Sequence, residues 1–155
     1  MTEDELFARR PMGMRMAMVV RQWRSIIDHA ITDTGLTQSS WTVLMQLHQL
    51  GDNVSVSELA EVQGIELPPL MRTLTLLEQQ GYLQRTVSPY DKRIRLLTLT
   101  DEGRAVLQTL NQVIEAFQTR VANGIPADDI AKFSDTLNQI ACNLRNIREE
   151  NNKTD

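Results

Sequence analysis

Between Val54 and Thr100 the chain sets out two short helices, a turn and a charged hairpin, and that order leaves few folds open. Ser55-Val56-Ser57-Glu58 is a capping box: the Ser55 hydroxyl can accept from the Glu58 N–H while the Glu58 carboxylate reaches back. Leu59, Ala60 and Val62 supply the apolar positions of the helix that it starts. Gly64 stops that helix, because glycine tolerates the positive φ of a tight turn. Pro68-Pro69 opens the second helix, where a missing N–H goes unnoticed, and Gly81 closes it. Leu83-Gln84-Arg85-Thr86-Val87 and Ile94 to Leu99 read as strands, joined by the turn chemistry of Ser88-Pro89-Tyr90-Asp91. Helix, turn, helix, hairpin is the order of a winged helix-turn-helix, an architecture that usually reads duplex DNA.

Within the second helix, Leu70, Leu74 and Leu77 recur at i, i+4 and i+7 and define one buried face. Arg72 lies about 200° around from Leu70 at roughly 100° per residue, so it points outward, with Pro69, Thr73, Thr75 and Leu76 on or beside that face. An outward arginine near the start of a second helix is placed to meet guanine O6 and N7 bidentately. The bland alternative is a solvated helix arginine. At the hairpin tip Lys92, Arg93 and Arg95 cluster, and Asp91 is the only acid between Gln79 and Thr100. A protruding loop of this charge fits phosphates or a narrow A·T-rich minor groove. The Asp-x-Arg spacing places Asp91 and Arg93 on one side of a strand, where the carboxylate can orient the guanidinium. The alternative is a hairpin charged only for solubility.

At 155 residues the chain is expected to form one domain with a real core. Its 41% hydrophobic but only 5% aromatic content suits a helical protein built on Leu, Ile and Met. No run of about 18 apolar residues occurs, and the N-terminus is acidic rather than a basic signal region, so a cytosolic protein is expected. The formal net charge of −4 argues against nucleic acid when taken alone. Its distribution answers that: Arg9 to Arg24 holds five arginines and no acids, and Tyr82 to Arg95 holds four basic residues and one acid. A locally positive face on an acidic body suffices for phosphate contacts.

Long helices flank the core. The first is expected over about residues 11–32, with Met16, Val19 or Val20, Trp23, Ile26 or Ile27 and Ala30 at helical spacing and an Arg24–Asp28 pair one turn apart. Another spans about residues 38–50 behind the cap Thr37. Thr100 caps a third, whose stripe is Leu107, Leu110, Ile114, Phe117 and Val121. In the last helix Ile130, Phe133, Leu137, Ile140, Leu144 and Ile147 repeat as 3-4-3-4-3, the narrow seam of a coiled coil. Such a seam packs either on Leu107 to Val121 of the same chain or, as favoured here, on a second copy.

Other chemistry is thin. Cys142 reads either as a redox sensor or, as favoured here, as inert, since it falls off the seam with only Arg145 close enough to lower its pKa. His29 and His48 lack partners at metal-ligand spacing. No nucleophile–base motif, Gly-rich phosphate loop or paired carboxylates occur, so neither an enzyme, a metal site nor a cofactor is expected.

The chain resembles the MarR family of bacterial regulators, and its SlyA branch in particular. The matching residues are Leu36-Thr37-Gln38-Ser39-Ser40-Trp41, Leu59-Ala60, Gly64-Ile65-Glu66, Leu70-Met71-Arg72-Thr73-Leu74, Leu77-Glu78, Gly81-Tyr82-Leu83, the Asp91-Lys92-Arg93 wing and Leu99-Thr100, with Arg21-Gln22-Trp23-Arg24 and Ile27-Asp28-His29 for the SlyA branch. The resemblance covers about residues 12–148. Pro69 departs from it: the branch usually carries a serine there, which could bond a phosphate as proline cannot. The resemblance implies a homodimer on DNA that represses genes or displaces a silencing protein, and an aromatic carboxylate such as salicylate bound between dimer helices and DNA-binding lobe. Arg21 and Arg24 would pair that carboxylate, with Trp41 and Met71 lining the site; the alternative is that these four are ordinary core and surface.

The expected fold is therefore mainly α, a single winged-helix domain over residues 1–155. Dimerisation helices fall at about residues 11–35 and 101–150, and a DNA-binding lobe at about residues 36–100. The expected partners are double-stranded DNA and a second copy, with no membrane; salicylate-like acids are a partner that only the resemblance implies. Pro68, Pro69, Arg72, Thr73, Arg85, Asp91, Lys92, Arg93 and Arg95 are the candidate DNA contacts. A winged helix that binds only protein is the rival, although it has no need of an outward Arg72 or an Asp-x-Arg wing.

Overall fold

A computed structural model describes residues 1–154 of the chain. Its helices are α1 (Glu3–Ala8), α2 (Met12–Ala30), α3 (Gln38–Leu50), α4 (Val56–Gln63), α5 (Leu67–Gln79), α6 (Asp101–Val121) and α7 (Ala127–Thr154). Its strands are β1 (Val54–Ser55), β2 (Leu83–Val87) and β3 (Arg95–Leu99), ordered β1-β3-β2 in one antiparallel sheet. Met1–Glu115 and Ala116–Asp155 form two separate compact units.

Local chemistry sets the helix boundaries of the first unit. Thr37 accepts the Ser40 N–H at 3.3 Å and starts α3. The Ser55–Glu58 capping box forms in both directions, at 3.1 and 3.0 Å, and starts α4. Gly64 ends α4 in the left-handed region at φ 61°, where a side chain would be strained. Pro68 and Pro69 fall in the first turn of α5. An unforeseen second capping box, Thr2 with Glu5, builds the short α1 in the acidic N-terminal stretch. The helix expected over residues 11–32 stops at Ala30 and gives way to a 3-10 turn at Thr32–Thr34. There the Thr34 hydroxyl donates to the Ile31 carbonyl at 2.6 Å. Asp28 does not pair with Arg24 as expected. Its carboxylate accepts the Gln38 N–H at 2.7 Å, because the positive end of α3 is a better partner than a solvated guanidinium.

The core of this unit is aliphatic. Leu70, Leu74 and Leu77 of α5 are fully buried, as are Leu44 and Leu47 of α3, Leu59 of α4, Leu83 of β2 and Leu97 of β3. β1 was not legible in the sequence, since two residues are too few to show alternation. It pairs Val54 with Leu97 and Ser55 with Leu96, tying the start of α4 to the hairpin. On α2 only Ile27 is buried, while Met12, Met14, Val19, Val20 and Ile26 are exposed.

Thr100 joins the hairpin to α6. Its hydroxyl donates to the Gly81 carbonyl at 2.6 Å and accepts the Gly103 N–H at 3.0 Å, while its own N–H donates to the Tyr82 carbonyl at 3.2 Å. Gly103 is buried, and a Cβ added there would collide with the Tyr82 carbonyl. Close backbone approach, not φ, is what requires glycine at this position.

In the second unit the end of α6 turns through Gly124, at φ 77°, into α7. No residue of α7 is buried. Phe133 is 64% exposed, and Ile130, Leu137, Leu144 and Ile147 are exposed with it, while Ile140 is half-buried. Among the described residues no helix is long and apolar enough to cross a membrane.

Gly103→Ala should cost about 1–3 kcal/mol of stability by urea unfolding, because Cβ and the Tyr82 carbonyl cannot share the space. A gain near the roughly 1 kcal/mol of helix propensity that alanine offers would show that the contact yields freely.

Candidate nucleic-acid interface

With its three leucines turned inward, α5 presents Arg72, Thr75, Leu76 and Gln79 to solvent along one face, with Met71 beside them. These five line a shallow groove of about 330 Å³. Pro68 and Pro69 are exposed at the start of the helix. Thr73 is half-buried and its hydroxyl donates to the Pro69 carbonyl at 3.3 Å, so it is occupied with its own helix.

The hairpin carries the second group. Register in β2–β3 runs from Leu83 opposite Leu99 to Val87 opposite Arg95, and residues 88–94 form the loop beyond. The loop is internally braced. Ser88 is buried, its hydroxyl accepts the Tyr90 and Asp91 N–H groups at 3.2 and 3.4 Å, and its N–H donates to the Ile94 carbonyl at 3.0 Å. Asp91 accepts three bonds from Arg93: the backbone N–H at 3.0 Å, Nε at 3.1 Å and Nη2 at 3.0 Å. Asp91 and Arg93 therefore meet as expected, but in the turn before β3 and not on a strand: the carboxylate folds over the following backbone as an Asx turn does. Arg93 beside it lowers the Asp91 pKa, chiefly through the side-chain bond, and the Arg93 pKa rises by the same contact. Lys92 is exposed, and Arg95 donates from Nη1 to the Lys92 carbonyl at 2.9 Å. The tip of the loop shows Tyr90, which is 97% exposed and which no motif singles out.

Arg85 behaves differently from the other wing cations. Its Nε donates to Glu78 Oε2 at 2.5 Å, and its Nη2 lies 3.5 Å from Glu78 Oε1 and 3.4 Å from Thr75 Oγ1. Its guanidinium is thus held on α5. Glu78 and Thr75 were not legible as functional residues, because their partner is fixed by how β2 docks on the helix.

The four candidate ligand residues are spread over three helices. Arg21 and Arg24 are exposed on α2. Trp41 of α3 is half-buried and donates from Nε1 to Asn111 Oδ1 at 2.8 Å, which ties α3 to α6. Met71 lies in the outer groove of α5 beside Arg72.

Residues 34–94 match the model of the MarR family. Among solved structures, the chain is 30% identical to the transcriptional regulator PA3341, with a TM-score of 0.76 over 88% of this chain and 99% of that one. It is 26% identical to CouR, a transcriptional repressor solved on a 23-mer DNA duplex, with a TM-score of 0.79 over 91% of this chain and 98% of that one. It also shares the fold of a mutant MarR from E. coli complexed with operator DNA: TM-score 0.77, 24% identity, 84% of this chain and 93% of that one.

The Asp91–Arg93 pair should persist at neutral pH and open only as pH falls through the lowered Asp91 value, since the folded carboxyl titrates below its usual 3.8. Carboxyl chemical shifts followed by NMR should place the Asp91 midpoint below that value, and Arg93→Ala should return it there.

Proposed function

Because the chain belongs to the MarR family of transcriptional regulators, we propose that it binds an A·T-rich two-fold DNA site as a homodimer and falls in the SlyA-like branch. The observation that carries this reading is the pairing of an exposed Arg72, on the outer face of a helix whose inner leucines are fully buried, with a wing whose Arg93 is pre-set by Asp91. A helix so held enters a major groove as a rigid body, and an arginine near its start reaches the base edges. Pro68 and Pro69 lie beside it at the mouth of the helix, and Thr73 supports that first turn. The wing would lie in the neighbouring minor groove, with Arg93 inserted and Lys92 and Arg95 on phosphates. Two such units, about 34 Å apart, match one helical turn of DNA.

The open seam of α7 supports a homodimer. Six apolar side chains at coiled-coil spacing are stable in water only when covered, and a second copy supplies the same surface. On α2, Met12, Met14, Val19 and Val20 are exposed as well. We also propose control by small aromatic acids. The support is the family resemblance and the chemistry of Arg21, Arg24, Trp41 and Met71, two cations with an indole and a thioether.

Binding to a duplex selected by the protein from a random pool tests the reading. Arg72→Ala should lose about 1–3 kcal/mol and flatten preference at one base pair per half-site, and salicylate should weaken binding by the parent chain. Weak binding without sequence preference or salt dependence would leave the winged helix as a protein-interaction module. Replacing both Leu137 and Leu144 with Asp should give monomers or unfolded chain in sedimentation, because unpaired charges cannot be buried in the seam. A double mutant that stays dimeric would move the interface to another helix.

A further inference from the structure

The basic side chains of the wing hairpin divide into two kinds. Lys92, Arg93 and Arg95 are exposed around the loop, whereas Arg85 is turned back onto α5 and its side chain is only 20% exposed. We propose that Arg85 and Glu78 form a brace that fixes the angle between the wing and the recognition helix, so that Arg85 is a positioning residue and not a phosphate contact. This rests on the DNA-binding role proposed above.

Three observations carry it. First, the contact has fork geometry: two guanidinium nitrogens face the two carboxylate oxygens of Glu78, and Nη2 also reaches Thr75. Glu78 and Thr75 are three apart on α5, hence on one side of it, and one planar group spans both. Such a group resists sliding along the helix and rotation about it, as a single bond would not. Second, Arg85 sits at a lever point. It lies two residues from the buried Leu83 on the same face of β2, and two pairings before the loop, Thr86 with Leu96 and Val87 with Arg95. β1 meets β3 only at Leu96 and Leu97, so the hairpin beyond is a two-stranded ribbon. Two-stranded ribbons twist easily, and any angular play at Arg85 is amplified at Arg93. Third, the electrostatics argue against a phosphate at Arg85. To reach one, the guanidinium would have to abandon Glu78 and leave an unpaired carboxylate facing the DNA backbone. Glu78, Arg85 and Arg95 line one small surface depression, so that carboxylate would lie close to the wing.

The two roles predict opposite responses to charge-conserving changes. Glu78→Asp keeps the charge but shortens the reach; Arg85→Lys keeps the charge but loses the fork. For a brace, each should weaken binding to the selected duplex about three- to tenfold, and the double variant should be no worse than either single one, because both break the same tie. The slope of affinity against salt should not change, since no phosphate contact is lost. In the free protein, amide hydrogen exchange over residues 83–99 should speed up in both variants. The opposite result is equally clear. If Arg85 contacts phosphate, Glu78→Asp should bind as well as the parent chain or better, Arg85→Lys should be mild, and Arg85→Ala should lower the salt slope by about one unit. Unchanged hydrogen exchange in both variants would also overturn the brace. A parent chain that selects no duplex would instead defeat the proposed function, while the exchange measurement still decides whether the brace exists.

Discussion

Leu70, Leu74 and Leu77 hold the rest of the molecule in place. They turn one side of α5 into the buried core to which Leu44, Leu47 and Leu59 also belong, and they fix which residues of the other side face outward. Helical geometry then leaves Arg72 no choice of direction. Burial of three leucines is worth several kcal/mol, about 1.5–3 each, more than any solvated contact that Arg72 could make within the chain. The orientation of the outer face is therefore set by apolar burial, and its chemistry is free to serve a partner. Leu83 and Leu97 extend the same core into the sheet, which is why the wing rises from a fixed base.

Charge is used sparingly against this background. The chain is acidic overall, yet its hairpin gathers four cations, and two acids, one in the loop and one on α5, orient two of them. Asp91 fixes Arg93 within the loop, and Glu78 fixes Arg85 against α5. An isolated surface ion pair contributes little to stability. Here the gain lies in orientation: an arginine already held loses less freedom when it meets a ligand. Ser88 and Thr100 do comparable work with hydroxyls, the first closing the loop at the tip and the second locking the base of the hairpin to α6.

The two units differ in how far they are complete. Met1–Glu115 buries a full aliphatic core, whereas in α7 nothing is buried and a regular apolar seam stays in water. The hydrophobic effect penalises that arrangement in a lone chain, and a helix polar on its other faces gains stability by meeting a second apolar surface.

Features that depend on neighbours in the chain were legible from sequence alone. The Thr37 cap, the Ser55–Glu58 box, the left-handed Gly64, the prolines of α5, the buried leucine period and the strand Leu83–Val87 all form as expected, because each is decided within a few residues. The outward Arg72 and the Asp91–Arg93 pair belong to the same class, although a turn and not a strand brings that pair together. Features that depend on docking were not legible. β1 exists only because β3 passes beside Val54, Asp28 caps α3 instead of pairing with Arg24, and Gly103 is required by the Tyr82 carbonyl above it. Arg85 looked like any other wing cation until β2 laid it across Glu78 and Thr75. Local sequence determines which elements form and which side of each is apolar, because those follow from backbone geometry and periodicity. Tertiary packing alone decides which charged groups are spent inside the molecule and which stay free, because that depends on distances across elements that no spacing in the sequence encodes.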